Sequence, residues 1–152
     1  MTQPSPLNAS PLRLQGHSFT EISVKASEQD NPEGGFSLST QRTIHVHSDD
    51  LLKFLLTLEV ALGSNSQDQE APYTADLTIH GEFEVAKEFT ARSPEELVYV
   101  TGASMLYGAC REMLANITAR SSHGMSTLPS VSFGVMKPVA KKANKKTAKK
   151  SS

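Results

Sequence analysis

The stretch YTADLTIHGEFEV fills residues 73–85, and SPEEL follows at residues 93–97; the change of period between them decides the fold class. In the first, Tyr73, Ala75, Leu77, Ile79, Phe83 and Val85 alternate with Thr74, Asp76, Thr78, His80, Glu82 and Glu84. That period of two predicts a half-buried strand, and Gly81 within it marks a close approach of backbone. In the second, Ser93 and Glu96 form a capping box with Pro94 at the first helical position. Glu95 and Glu96 suit the positive end of a helix dipole. The helical pattern runs to about Ala119, with Gly102 as a candidate break. Met105, Leu106, Ala109, Cys110, Met113 and Ile117 form its apolar stripe, and Gly108 inside it costs roughly 1 kcal/mol against alanine unless tight packing offsets the loss.

Upstream, the period of two recurs. Residues 51–62 carry helix-like flanks, Asp49 and Asp50 before and Gly63 after. Yet every even position from Leu52 through Phe54, Leu56, Leu58, Val60 and Leu62 is apolar, which favours a strand. In residues 36–47, Phe36, Leu38, Ile44 and Val46 face one way, and His45 and His47 the other. Residues 12–26 are extended but irregular. Leu12 and Leu14 share one parity, Ile22, Val24 and Ala26 share one, and Phe19 is out of step, with Gly16 suggesting a bulge. SEQDNPEGG at 27–35 and residues 64–70 are polar connections.

Sheet first and helix after predicts an α+β domain: a four-stranded antiparallel sheet, read as a meander, with one long helix packed on one face. One helix barely covers four strands, so leftover apolar surface is expected, as an oligomer interface or a binding groove. The expected organisation is a disordered N-terminus over 1–11, one domain over 12–136, and a disordered Lys-rich tail over 137–152.

Composition narrows the function. The chain has 152 residues and is 38% hydrophobic, enough for one modest core. Seven of its 15 basic side chains are lysines in residues 137–152, which contain no acid. The remaining 136 residues hold 8 basic and 16 acidic groups, a charge of −8 beneath a formal net charge of −1. An acidic body argues against nucleic acid as partner and permits a basic one. Cys110 is the one cysteine, which excludes an intrachain disulfide and suits a reducing cytosol. No signal-peptide pattern opens the chain and no apolar run approaches membrane-spanning length, so a cytoplasmic protein without direct membrane insertion is expected.

The catalytic search finds no phosphate-binding Gly loop, GxSxG, HExxH or CxxC. No catalytic residue, cofactor or metal is expected, and the protein is read as a non-enzyme. His45 and His47 share a face at a spacing able to hold a metal, but no third ligand is evident; two exposed histidines is the plainer reading. Cys110 in the apolar stripe reads as a small buried residue. The carboxylates Glu59, Asp76, Glu82 and Glu84 read as a solvated strand face or as a docking surface.

LYGACREM at 106–113, followed by LPSVSF at 128–133, resembles SecB, the protein-export chaperone family. The upstream order is similar too: ISVKA at 22–26, a crossover loop, then strands through 52–62 and 73–85 with His80-Gly81 near the end. The resemblance spans roughly residues 12–134 and implies a homotetramer, a dimer of dimers with helices sandwiched between sheets. It implies an ATP-independent holdase that binds unfolded preproteins and delivers them to the SecA motor. Phe36, Leu38, Tyr99, Tyr107, Leu128, Val131 and Phe133 are the candidate client-groove residues. Glu21 and Asp76 match the family's acidic motor-docking positions, whereas Lys25 stands where an acid is typical. The second helix that lines the groove in typical members has no counterpart after Phe133. A SecB-like chaperone dedicated to an antitoxin or another single partner is the alternative; a small ligand-binding or enzymatic domain using His45 and His47 is a third reading.

Overall fold

A computed structural model describes residues 9–134 of the chain. The expectations for residues 1–8 and for the Lys-rich tail lie outside the described residues. Of the supposed N-terminal extension, Ser10 and Pro11 are held: the Ser10 hydroxyl accepts from Leu12 N and the Pro11 carbonyl from Ala86 N.

Each run with a period of two forms a strand: β1 (Leu12–Ala26), β2 (Phe36–Val46), β3 (Lys53–Ser64) and β4 (Tyr73–Val85). In β3 the even positions Phe54 to Leu62 are buried, so alternation overrode the helix-like caps. The sheet is antiparallel, but its order is β1-β4-β3-β2, not that of a simple meander. Only β2, β3 and β4 are joined as a meander. The chain leaves β1 beside β4, and residues 27–35 cross the end of the sheet to start β2 on the opposite edge. This crossover is tied to the β3–β4 turn by Ser27 N to Pro72 O, Gly34 N to Glu70 O and Asn65 N to Gly35 O. The physical reason is the polar 27–35 loop, nine residues long, which spans two strands where a hairpin needs only a few residues.

Two register shifts in β1, between Leu14 and Gly16 and between Phe19 and Glu21, explain its irregular pattern. Each inserts one residue opposite β4 and flips the alternation. Leu12, Leu14, Phe19, Ile22, Val24 and Ala26 thereby pair with Val85, Phe83, Ile79, Leu77, Ala75 and Tyr73, all positions on the inner face of β4.

The helix starts where the capping box places it. Ser93 Oγ accepts from Glu96 N, and α1 (Pro94–Leu97) passes through a π turn (Val98–Gly102) into α2 (Ala103–Thr118) with helical dihedrals throughout. The helix does not break at Gly102; it widens there by one π turn. A Cβ at Gly102 meets Phe83 Cζ at 3.1 Å, and one at Gly81 meets Phe83 Cε2 at 2.8 Å and Leu106 Cδ2 at 2.9 Å. Helix and sheet thus close around the Phe83 ring, as the Gly81 reading anticipated. The core lies between α2 and the inner sheet face, built on Leu56, Leu58, Leu77, Ile79, Phe83, Leu106, Cys110 and Leu114.

Candidate functional site

The helix has two apolar faces, not the single stripe of the sequence reading. Leu106, Cys110, Leu114 and Thr118 are buried against the sheet. Met105 is 41% exposed, and Ala109, Met113 and Ile117 beside it are half-buried. Nothing lies within 4 Å of a Cβ built on Gly108. No packing within the protomer therefore offsets that glycine.

Between α2 and β2 runs a seam filled by the chain's own residues 126–134. These have no regular secondary structure. Thr118, fully buried, holds Ser126: its Oγ1 accepts from Ser126 N at 2.8 Å while donating to Leu114 O at 2.7 Å. Arg111 Nε donates to Leu128 O at 3.0 Å, and Tyr107 OH to Pro129 O at 2.6 Å. From β2, Arg42 Nη1 donates to Tyr99 O at 2.7 Å and Gly134 O at 3.3 Å. Its guanidinium also sits 3.8 Å from the Tyr99 ring centroid and 5.1 Å from that of Phe133. Phe133 meets Tyr107 edge to face at 5.6 Å, a favoured aromatic geometry. Burial draws the Arg42 pKa down, opposed by Tyr99; burial pushes that of Tyr107 up, opposed by Arg111. Both groups remain donors at neutral pH.

The structure thus brings Tyr99, Tyr107, Leu128 and Phe133 together, with Tyr99, Tyr107 and Leu128 buried. Val131 in the same segment is exposed. Phe36 and Leu38 share the inner face of β2 with Arg42; Phe36 is exposed and Leu38 partly buried against the core. Arg42 was missed in the sequence, although a charged residue at the parity of Leu38 and Ile44 is a legible signal. Arg111 turns inward to the Leu128 carbonyl.

The opposite face of the sheet is polar. Glu21 and Glu59 both pair with Thr78, and Asp76 pairs with Ser23 two residues along. They line a shallow hollow of about 240 Å³ with Gln41 and Ser39. Thr78 Oγ1 lies 3.5 Å from Glu21 Oε1. Lys25, paired with Thr74, lines an adjoining hollow. His80 is clamped between Thr20 and Thr57, whose hydroxyls lie 3.0 and 2.8 Å from its two ring nitrogens. One nitrogen donates and the other accepts in the neutral ring.

His45 and His47 border a cavity of about 660 Å³ with Gln15, Lys53, Leu55, Glu82 and Glu84. His45 pairs with Leu55 and His80 with Thr57, so the strand order keeps the histidines on different rungs. Among the described residues no three His, Cys, Asp or Glu groups come together as a metal site. Burial pushes the Cys110 thiol up to about 12, which leaves almost no thiolate at neutral pH. No helix among the described residues is long and apolar enough to cross a membrane.

No family model matches the sequence, and no curated protein matches it significantly. Among solved structures, the chain is similar to the SecB-like chaperone of Mycobacterium tuberculosis in complex with a ChAD peptide from the HigA1 antitoxin. The TM-score is 0.62 at 17% identity, covering 80% of this chain and 91% of that one. A protein of unknown function from Streptococcus agalactiae aligns with a TM-score of 0.47 at 10% identity, over 81% of this chain and all of that one. The chain therefore has a SecB-like fold: a four-stranded antiparallel sheet covered by one long helix.

Proposed function

We propose that the protein is an ATP-independent chaperone that holds an extended, unfolded polypeptide segment along the seam between α2 and β2. The observation that carries this reading is the seam itself, where donors from both elements grip main-chain carbonyls beside apolar pockets. An unfolded chain presents the same two features in extended form. Burying apolar area gives about 25 cal/mol per Å², part of which offsets ordering entropy. No nucleophile or proton transfer is needed. Phe36, Leu38, Tyr99 and Tyr107, with Arg42, line the groove in this reading, and Leu128, Val131 and Phe133 belong to the segment seated in it.

A dedicated chaperone for a single antitoxin-like partner is the form best supported, because the SecB-like neighbour is in complex with an antitoxin peptide. A second form, delivery of preproteins to the SecA motor in the cytoplasm, is favoured by the outer hollow where Glu21, Glu59 and Asp76 converge. Lys25 beside that hollow weighs against it. Either form works best as a homotetramer, a dimer of dimers in which several grooves raise avidity. The half-exposed Met105, Ala109 and Met113 and the uncovered Gly108 support self-association through α2.

Aggregation of an unfolded client is the test. The purified protein should suppress client light scattering without ATP, and unchanged scattering at equimolar tetramer rejects the reading. Affinity capture separates the forms: one small partner supports the dedicated chaperone, many precursors with the motor support export. Light scattering of the protein alone should give a mass near four times 16.4 kDa.

A further inference from the structure

Residues 126–134 are attached in an unusual way. Among the described residues, 125–134 make no backbone–backbone hydrogen bond. The segment is held instead by side chains of other elements. Arg111, Tyr107 and Arg42 donate to the carbonyls of Leu128, Pro129 and Gly134, and Thr118 Oγ1 accepts from Ser126 N. Carbonyls are the part of a polypeptide that is the same whatever its sequence. Only two side chains of the segment reach the core: Leu128, 1% exposed, and Phe133, packed against it between Tyr107 and Arg42. Pro129, Ser130, Val131 and Ser132 between them are exposed. A segment integral to a fold has a ladder of its own or buries most of its side chains; this one sits as a peptide does in a recognition groove.

We infer that residues 126–134 are an exchangeable strap occupying a peptide-binding groove, which an extended client segment with two apolar anchors five residues apart enters by displacing it. This inference rests on the holding function proposed above and adds to it a guest pattern and a built-in competitor. The joint is at Gly124, whose φ of +80° is favoured by glycine and whose Cβ position has no neighbour within 4 Å. Met125 next to it is 67% exposed. Arg111, Tyr107 and Arg42 stay on α2 and β2 when the strap leaves, in place to address the carbonyls of an incoming chain. While the strap is seated, it lowers the apparent affinity for any client by the fraction of time the groove is closed.

Two measurements on the full-length chain decide the matter. Val131, exposed in the middle of the strap, is replaced by cysteine and labelled with a nitroxide; buried Cys110 with its raised thiol pKa stays unlabelled. Adding a reduced, carboxymethylated, permanently unfolded protein should convert the spectrum to that of a mobile label. An unchanged spectrum while the client is bound, as read by co-elution, overturns the strap and leaves the holding function standing. No binding of the unfolded protein overturns both.

The second measurement is affinity. Phe133→Ala loosens the strap and should tighten binding of a fluorescein-labelled peptide STLPSVSFG, the strap's own residues 126–134, by about tenfold. Equal or weaker binding overturns the inference, because it makes Phe133 a fixed wall of the groove. Should Phe133→Ala fail to fold, the nitroxide result stands alone as the decision.

Discussion

Replacing Gly81 with alanine tests how closely the helix lies on the sheet. The new methyl would sit 2.8 Å from Phe83 Cε2 and 2.9 Å from Leu106 Cδ2. Carbon atoms in contact prefer about 3.5–4.0 Å, so both neighbours must move. Both are fully buried, so neither can swing into solvent to make way. Overpacking of this kind costs about 1–3 kcal/mol. Alanine also restricts the unfolded chain, which returns about 0.4–1 kcal/mol where the backbone is compatible. The net expectation is a loss of about 1–2 kcal/mol. Urea unfolding followed by circular dichroism should show a lower midpoint with an unchanged slope. Adding Phe83→Leu should recover part of the loss, since the two sites are coupled through one space. Stability equal to or above that of the unmodified protein would refute the close approach of α2 to β4.

Two further outcomes follow from the same helix. Gly108→Ala should stabilise the dilute protomer by about 1 kcal/mol, because Cβ meets nothing within 4 Å; if α2 is the surface of self-association, light scattering should show the same substitution weakening the assembly. For Cys110, the folded thiol titrates near 12 against an ordinary 9.0. A raised folded pKa means the contribution is fully present below about 9 and is lost as pH rises toward 12. Stability in alkali should therefore fall less steeply for Cys110→Ala, and native protein at pH 8 should resist iodoacetamide.

Much of the fold is legible because alternation is a local signal. β3 is read as a strand from Phe54, Leu56, Leu58, Val60 and Leu62, and those side chains are the ones buried. The irregular β1 yields to the same logic once two bulges are known, and the sequence marks only the first of them, at Gly16. Strand order is not local. The antiparallel pairing of β1 with β4 depends on a crossover whose path no period encodes. The helix stripe was half right. Met105 and Ala109 were grouped with Leu106 and Cys110, while Leu114 and Thr118 were passed over. Thr118 reads as polar, yet its hydroxyl is satisfied by Leu114 O at 2.7 Å and by Ser126, so it is buried without loss. The aromatic members of the seam were found as apolar residues near one another in a familiar pattern. Arg42 was not, although its parity with Leu38 and Ile44 was a signal; what it does there shows only once Tyr99 and Phe133 are seen to flank it.

The sheet order has a consequence for how the chain is made. Leu12 meets Val85, and Ala26 meets Tyr73, so the earliest strand to emerge in synthesis finds its neighbour only after the other three have been produced. Until then, Leu14, Phe19, Ile22 and Val24 travel without cover, the kind of sticky intermediate that aggregates when folding is slow. The first strand is thus the part of the chain most in need of protection until β4 is complete.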